Sequence, residues 1–229
     1  VDICDTYNLL MEAYHRKCKV VVLEVSSHAL ANNRLCTLKF DFGIFTNLTE
    51  DHLDFHKTME NYALAKQKLF YQLEEDHTCF INCDDSYASY FLLEQNHNLT
   101  YGTKNSNYKI SNIQVDISNT TFQCNGYRYQ MKLLGKYNVY NMVCVIALLS
   151  VMNFTNEQIK NVIKNLEPPK GRMEVLSFLR GKIVIDYAHT PDAVQQILLT
   201  AREIPHQKIY TIVGCGGDRD PLKRPIMGE

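Results

Sequence analysis

Residues 19–25 read KVVVLEV, in which Lys19 is followed by an unbroken β-branched and aliphatic run that is first interrupted by the carboxylate of Glu24. A strand with one wet face alternates in polarity, whereas an uninterrupted apolar run fits a strand covered on both faces, as in parallel sheets flanked by helices. Helical spacing over 9–17 precedes it, and short apolar strands are expected at 42–45 and 77–82 around an amphipathic helix over 59–73. The pair Asp84-Asp85 is placed at a helix start. The fold class is therefore α/β. From 108 to 134 the texture changes to period-two alternation with an Asn125-Gly126 turn, which predicts an antiparallel annex containing one hairpin. Helices follow at 137–151 and 156–165.

Pro168-Pro169-Lys170-Gly171 breaks the pattern and marks the expected boundary between a unit over 1–168 and a second over 169–229. The second unit starts with a buried strand at 182–185, a helix at 191–201 capped by Thr190, and a strand at 208–213 that ends in Gly214, Gly216 and Gly217. This is the opening of a doubly wound domain. A length of 229 residues suits two units, and 45% hydrophobic residues suffice for a core in each.

With 24 basic and 25 acidic residues the net charge is -1, so no global field points to nucleic acid or a membrane surface as a partner. Any anion site has to be local. The cysteines at 4, 18, 36, 79, 83, 124, 144 and 215 contain no C-x-x-C pair and read as reduced thiols, which points to the cytoplasm. Cys79 and Cys83 flank a strand end and are not expected to share a metal. No apolar run reaches the length of a membrane span, and the N-terminus lacks the regions of a signal peptide. Both ends, Val1 and Glu229, read as cuts within a longer protein.

Three strings carry candidate chemistry. TEDHLDFH gathers Asp51, His52, Asp54 and His56 where a strand ends and a loop begins, the usual place for a site in an α/β sheet. On its own it also reads as a solvated loop with helix-capping acids. Glu24 at the end of an apolar strand tips the balance, because a carboxylate there needs a cation or a donor. With Ser26, Ser27 and His28 beside it, the edge suits a hard cation such as Mg²⁺ held with nucleotide phosphate. Lys66, among Ala63, Ala65 and Leu69, reads from the residues alone as a surface lysine lying along apolar neighbours. The third string, GCGGDRD at 214–220, follows a strand directly. It is not G-x-G-x-x-G, and Arg219, Lys223 and Arg224 near it suit a carboxylate or phosphate. Asp186-Tyr187-Ala188-His189 occupies the matching place after the previous strand, so the two loops would form a cleft, although capping and turn roles explain each separately.

Taken in order, EVSSHAL (24–30), FTNLTEDHLDFH (45–56), YALAKQKLF (62–70), GKYNVYN (135–141), GRME (171–174), DYAHTPDA (186–193) and GCGGDRDPLKRPIMG (214–228) resemble the Mur ligases. Among these, the resemblance is to the enzymes that add the third amino acid, diaminopimelate or lysine, to the peptidoglycan precursor. It implies an ATP-binding central domain, here incomplete, followed by the start of a Rossmann-like C-terminal domain. It also implies an ATP-dependent amide ligase working through an acyl phosphate on a UDP-N-acetylmuramoyl dipeptide, as a cytoplasmic monomer.

Carried over residue by residue, Glu24 and His52 would hold Mg²⁺ together with Lys66, which the resemblance makes a carbamylated lysine and hence a carboxylate-like ligand. Ser26, Asn32, where the family often has Gln, and Arg34 match contacts to the UDP-muramoyl peptide. Asn138, Asn141, Arg172 and Asp186 match nucleotide-binding positions. Tyr187 and His189 flank the same cleft, Tyr187 as a substrate contact and His189 as a catalytic group. Arg219 would hold a carboxylate of the incoming amino acid. The family's glycine-rich phosphate loop and later specificity motif do not occur in this stretch, so the piece alone is expected to be inactive. A folylpolyglutamate or cyanophycin synthetase shares part of the pattern but not the GGDRDPLKRP loop. A ligase-derived scaffold is disfavoured by the intact Glu24, His52 and Lys66.

Overall fold

The computed structural model describes residues 3–35, 37–179, 181–214 and 223–228. Helix α1 (Ile3–His15) leads into an irregular segment and a short helix α2 (Ser27–Ala31), followed by strand β1 (Phe40–Phe45). Helices α3 (Leu53–His56) and α4 (Met59–Gln67) precede β2 (Leu73–Asn82) and β3 (His97–Gly102). Strands β4 (Tyr108–Val115), β5 (Thr120–Cys124) and β6 (Tyr127–Met131) complete one sheet. Then come α5 (Lys136–Val151), α6 (Asn156–Asn165), β7 (Glu174–Phe178), β8 (Gly181–Ile185), α7 (Pro191–Glu203) and α8 (Lys223–Gly228).

The main sheet runs β1-β2-β3-β4-β5-β6, parallel from β1 to β4 and antiparallel from β4 to β6. This is the expected mostly parallel sheet with an antiparallel annex. The hairpin between β5 and β6 turns at Asn125 and Gly126, both at positive φ (48° and 82°), the conformation an Asn-Gly turn supplies with little strain.

Both faces are covered at the centre. On one, Phe80, Tyr101, Ile110 and Phe122 pack beneath Val139, Val143 and Ile146 of α5 and Ile159 of α6. On the other, Cys79 and Ile81 meet Tyr62 and Ala63 of α4 with Phe70 and Phe91. Each fully buried Phe, Ile or Val contributes about 1.5–3 kcal/mol. A third, smaller core joins Leu134 and Tyr137 to Met173, Val175, Val184, Ile197 and Ile204, and so seats α5 against β7, β8 and α7.

Several expectations are corrected. Residues 20–26 form neither helix nor strand, and Val22 is 88% exposed. Among the described residues nothing pairs with the outer edge of β1, so the ladder that would bury such a run is missing from its neighbourhood. Burial on both faces falls instead on β2, where Cys79, Phe80 and Ile81 are all 0% exposed. The helix expected over 59–73 stops at Gln67; a 3₁₀ turn (Lys68–Tyr71) follows, and Leu73 opens β2 opposite Phe40 because the ladder recruits it. Asp84 and Asp85 start no α-helix; their carboxylates accept long-range hydrogen bonds from Leu48, Thr103 and Tyr140, and Asp85 accepts the Tyr87 N–H within its own turn. Strand β8 forms but pairs antiparallel with β7 and stays open, Ile183 and Ile185 each being 43% exposed. No strand forms over 208–213, where Tyr210 and Ile212 face solvent with no neighbouring ladder. The α7 helix starts as expected, with Thr190 Oγ1 accepting from the N–H of Ala193 at 3.3 Å.

Candidate functional site

Where β1 ends, the chain enters the 46–52 loop, which is tied to the end of β2. Asn82 Nδ2 donates to Thr46 O at 2.7 Å, and the Leu48 N–H donates to Asp85 Oδ2 at 2.9 Å. The loop closes on His52, which takes a left-handed conformation (φ 55°) at the start of α3. Its backbone N–H donates to Asp51 Oδ1 at 2.9 Å, and its Nε2 lies 3.4 Å from Asp51 Oδ2. Thr58 caps α4 by accepting from the Asn61 N–H at 3.1 Å. That helix start sets Tyr62 and Lys66 one turn apart on one face.

These elements assemble an aromatic and imidazole cluster. His28 lies 4.7 Å from His52 and 4.4 Å from Phe55, between ring centres. Buried His56 stacks on Tyr62. Lys66 Nζ sits 5.3 Å from the centre of the Tyr62 ring. Burial holds the Lys66 ammonium below its ordinary pKa, while the charges of Glu24 and Asp51 oppose that shift. Lys66 is therefore half-buried over the Tyr62 ring, feels the charge of two carboxylates and is not the surface lysine that its neighbours in sequence suggest. Glu24 itself is exposed and lies in the irregular segment before α2, not at a strand end. Among the described residues, no group of three His, Cys, Asp or Glu side chains converges as a ready-made metal cage. Lys66 feels the charges of Glu24 and Asp51, and as an ammonium it would repel a cation placed near them. That neighbourhood would suit a hard cation such as Mg²⁺ only if a modification such as a carbamate made Lys66 negative.

The second constellation lies where α5 meets β7, β8 and α7. Asn138 is buried, and its Nδ2 donates to Leu134 O at 2.8 Å; Asn141 Nδ2 reaches Asn138 Oδ1 at 3.4 Å. Asp186 accepts the Met173 N–H on Oδ2 at 2.8 Å and the Ala188 N–H on Oδ1 at 2.7 Å. The turn role weighed for 186–189 is thus realised. Arg172 is exposed, with its guanidinium 5.4 Å from the centre of the Tyr187 ring. His189 Nδ1 donates to Tyr187 O at 3.1 Å, and the two rings lie 5.3 Å apart. Tyr137 links the parts. Burial pushes its phenol up in pKa and the charge of Asp186 adds to this, while a hydrogen bond from Asn138 and the charge of Arg172 oppose it.

Ser26 and Asn32 are occupied locally, Ser26 Oγ accepting from the Ala29 N–H at 3.2 Å and Asn32 Nδ2 donating to His28 O at 2.8 Å, so they cap α2 at both ends. Arg34 is exposed just beyond. Arg219 lies outside the described residues. A cavity of about 510 Å³ between Glu50, Pro191, Leu198 and Met227 contains none of these candidates. Sequence reasoning does not single out Tyr62 or Tyr137. Each stands four residues before a candidate, Lys66 and Asn141, and that spacing is the signal that was available.

Residues 2–149 match the Mur ligase middle domain, and residues 171–229 match a domain described as Mur ligase, glutamate ligase domain. The chain is 37% identical over 236 residues to UDP-N-acetylmuramoyl-L-alanyl-D-glutamate--2,6-diaminopimelate ligase of Fusobacterium nucleatum, covering 98% of this chain and 48% of that protein. It is 40% identical over 230 residues to the corresponding ligase 1 of Clostridium acetobutylicum, covering 96% and 47%. A solved diaminopimelate ligase of the same name superposes with a TM-score of 0.77 at 30% identity, over 100% of this chain and 49% of that one. The MurF ligase of Thermotoga maritima, solved with ADP, shares the fold at 17% identity and a TM-score of 0.66, over 75% of this chain and 42% of that one. The chain spans about half the length of the curated relatives it matches. Both domain matches fall in order on the segments that build the two constellations, and the chain belongs to the Mur ligase family.

Proposed function

We propose that this chain forms the middle and part of the C-terminal domain, divided near 168/169, of an ATP-dependent ligase of peptidoglycan precursor synthesis. The enzyme joins the D-glutamate carboxylate of UDP-N-acetylmuramoyl-L-Ala-D-Glu to an amino group of the third residue, which the relatives' names make diaminopimelate. Lys66, half-buried, held below its ordinary pKa and feeling the charges of Glu24 and Asp51, is the observation that carries this reading. Depressed basicity leaves more of the amine neutral. The nitrogen lone pair attacks CO₂, an oxygen takes up the displaced π electrons, and the ammonium-type proton passes to water, leaving a carbamate.

Glu24, His52 and carbamylated Lys66 would then hold Mg²⁺. Bound there, the ion supplies charge neutralisation for the transferred phosphoryl group. Asn138, Asn141, Arg172 and Asp186 hold the nucleotide, and Tyr187 and His189 line the side of the same cleft, His189 as a catalytic group. Ser26, Asn32 and Arg34 meet the UDP-muramoyl peptide, and Arg219 meets a carboxylate of the incoming amino acid. The substrate carboxylate attacks the γ-phosphorus and ADP leaves; the amine then attacks the acyl carbon, and phosphate and a proton leave. Positioning and electrostatics carry the rate, with no protein nucleophile. A cytoplasmic monomer fits these soluble substrates.

In the full-length protein that carries this chain, phosphate release is expected to require ATP, the UDP-muramoyl dipeptide and diaminopimelate together. Lys66→Ala is expected to slow it by about 100-fold or more, with partial recovery in added short-chain carboxylate. A normal rate in Lys66→Ala would remove the carbamate, and phosphate release indifferent to the amino acid would remove the ligase.

A further inference from the structure

We infer that Asp84 and Asp85, neighbouring carboxylates just past the end of β2, are positioning residues that brace the two candidate constellations, one each. Asp85 braces the loop carrying Asp51 and His52, and Asp84 braces the helix carrying Asn138 and Asn141. This rests on the ligase reading above.

The hydrogen bonds divide cleanly between the two. Asp85 accepts the Leu48 N–H on Oδ2 at 2.9 Å and the Tyr87 N–H on Oδ1 at 2.8 Å. Leu48 is buried four residues before His52, and Asn82 reinforces the tie by donating to Thr46 O while accepting the Asp84 N–H at 3.1 Å. Asp84 faces the other way. Its Oδ2 accepts the Tyr140 hydroxyl at 2.6 Å, the Thr103 N–H at 2.6 Å and the Thr103 hydroxyl at 2.7 Å, and its Oδ1 accepts the Lys104 N–H at 3.3 Å. Tyr140 stands between Asn138 and Asn141 on α5, on a different side of the helix, so its hydroxyl sets how the helix is turned.

Gly102 permits this approach. A Cβ there would lie 2.9 Å from the Asp84 carboxyl carbon, too close for any other residue without displacing the carboxylate. Both oxygens of each carboxylate are engaged by the protein, so the pair acts through what it holds rather than on a ligand. Burial disfavours the Asp84 charge, but the hydrogen bonds from Thr103, Tyr140 and Lys104 outweigh it and hold the carboxyl below its ordinary pKa. A charged acceptor makes each of these bonds stronger than a neutral one.

The test uses the full-length protein with two binding measurements that need no turnover: ADP without divalent metal by calorimetry, and Mn²⁺ without nucleotide by water-proton relaxation. Tyr140→Phe removes one hydroxyl. It is expected to weaken ADP roughly 3- to 10-fold and to leave Mn²⁺ within about 2-fold. Asp85→Asn offers one acceptor oxygen where two N–H groups point, and it is expected to do the reverse. Thr155→Ala, which removes the cap of α6 just past the end of α5 opposite to Asn138 and Asn141, is the stability control. It should lower the melting temperature and move neither affinity. Equal effects of Tyr140→Phe and Asp85→Asn on both ligands, or none on either, would overturn the brace. If the unaltered protein binds neither ADP nor Mn²⁺, the ligase reading fails and the brace with it; if it binds both and the variants match it, only the brace fails.

Discussion

The imidazole of His56 lies flat on the phenol ring of Tyr62, with centroids 4.9 Å apart and planes 16° from parallel, and its Nε2 is 2.9 Å from Ser27 Oγ. One ring thereby joins α3, α4 and the start of α2. Lys66 reaches over Tyr62 from the next turn of α4, so packing of His56 and placement of the lysine share a support.

That burial has a pH signature. His56 is held below its ordinary pKa by burial first and then by the charges of His28, His52 and Lys66, with Asp54 opposing. The unfolded chain takes up a proton near pH 6.5. The folded chain resists it until lower pH, so in between the unfolded state binds more protons and stability falls as pH drops. Below the folded pKa the loss levels off. Urea unfolding measured from pH 8 to pH 5 should show this fall, and His56→Gln should flatten it. An unchanged slope in the variant would assign the titration elsewhere.

Gly135 starts α5 at φ 96°, and a Cβ there would lie 2.7 Å from Thr200 Oγ1 and 2.9 Å from Tyr137 Cε1. Gly135→Ala combines left-handed strain with a clash at the α5–α7 contact and should cost about 1–3 kcal/mol. The melting temperature should fall by roughly 2–12 °C. Gly126→Ala meets nothing within 4 Å and should cost less. A scan that ranks the two variants in the opposite order contradicts the packing.

Arg172 presents a planar fork above Tyr187. Arg172→Lys keeps the charge but loses the bidentate geometry and the stacking, so nucleotide affinity should fall roughly 3- to 10-fold while the melting temperature hardly moves. Calorimetry with ATP checks the first and a thermal scan the second. Wild-type affinity in Arg172→Lys would mean that a point charge suffices at this position.

Much of the fold was legible from local signals. The α6 helix occupies 156–165 as expected because Thr155 and Gln158 form a capping box and Ile159 and Ile163 mark the buried stripe. The hairpin at Asn125-Gly126 and the Thr190 cap rest on chemistry that acts within a few residues. The motif strings contain the residues of both constellations. Harder to read were Lys66, whose neighbours along the chain suggest an exposed lysine, and Asp84-Asp85, whose spacing resembles a helix start.

By itself, then, the sequence determined the α/β alternation, the annex, the caps and turns, and the family motifs, because each depends on residues close along the chain. Only the tertiary structure decided that burial on both faces belongs to 79–81 and not to 20–22, that Lys66 is desolvated against Tyr62, and that Asp84 meets Tyr140 across 56 residues. Desolvation and hydrogen-bond partnership are set by whatever the fold brings alongside, and a residue's neighbours in sequence do not contain that information.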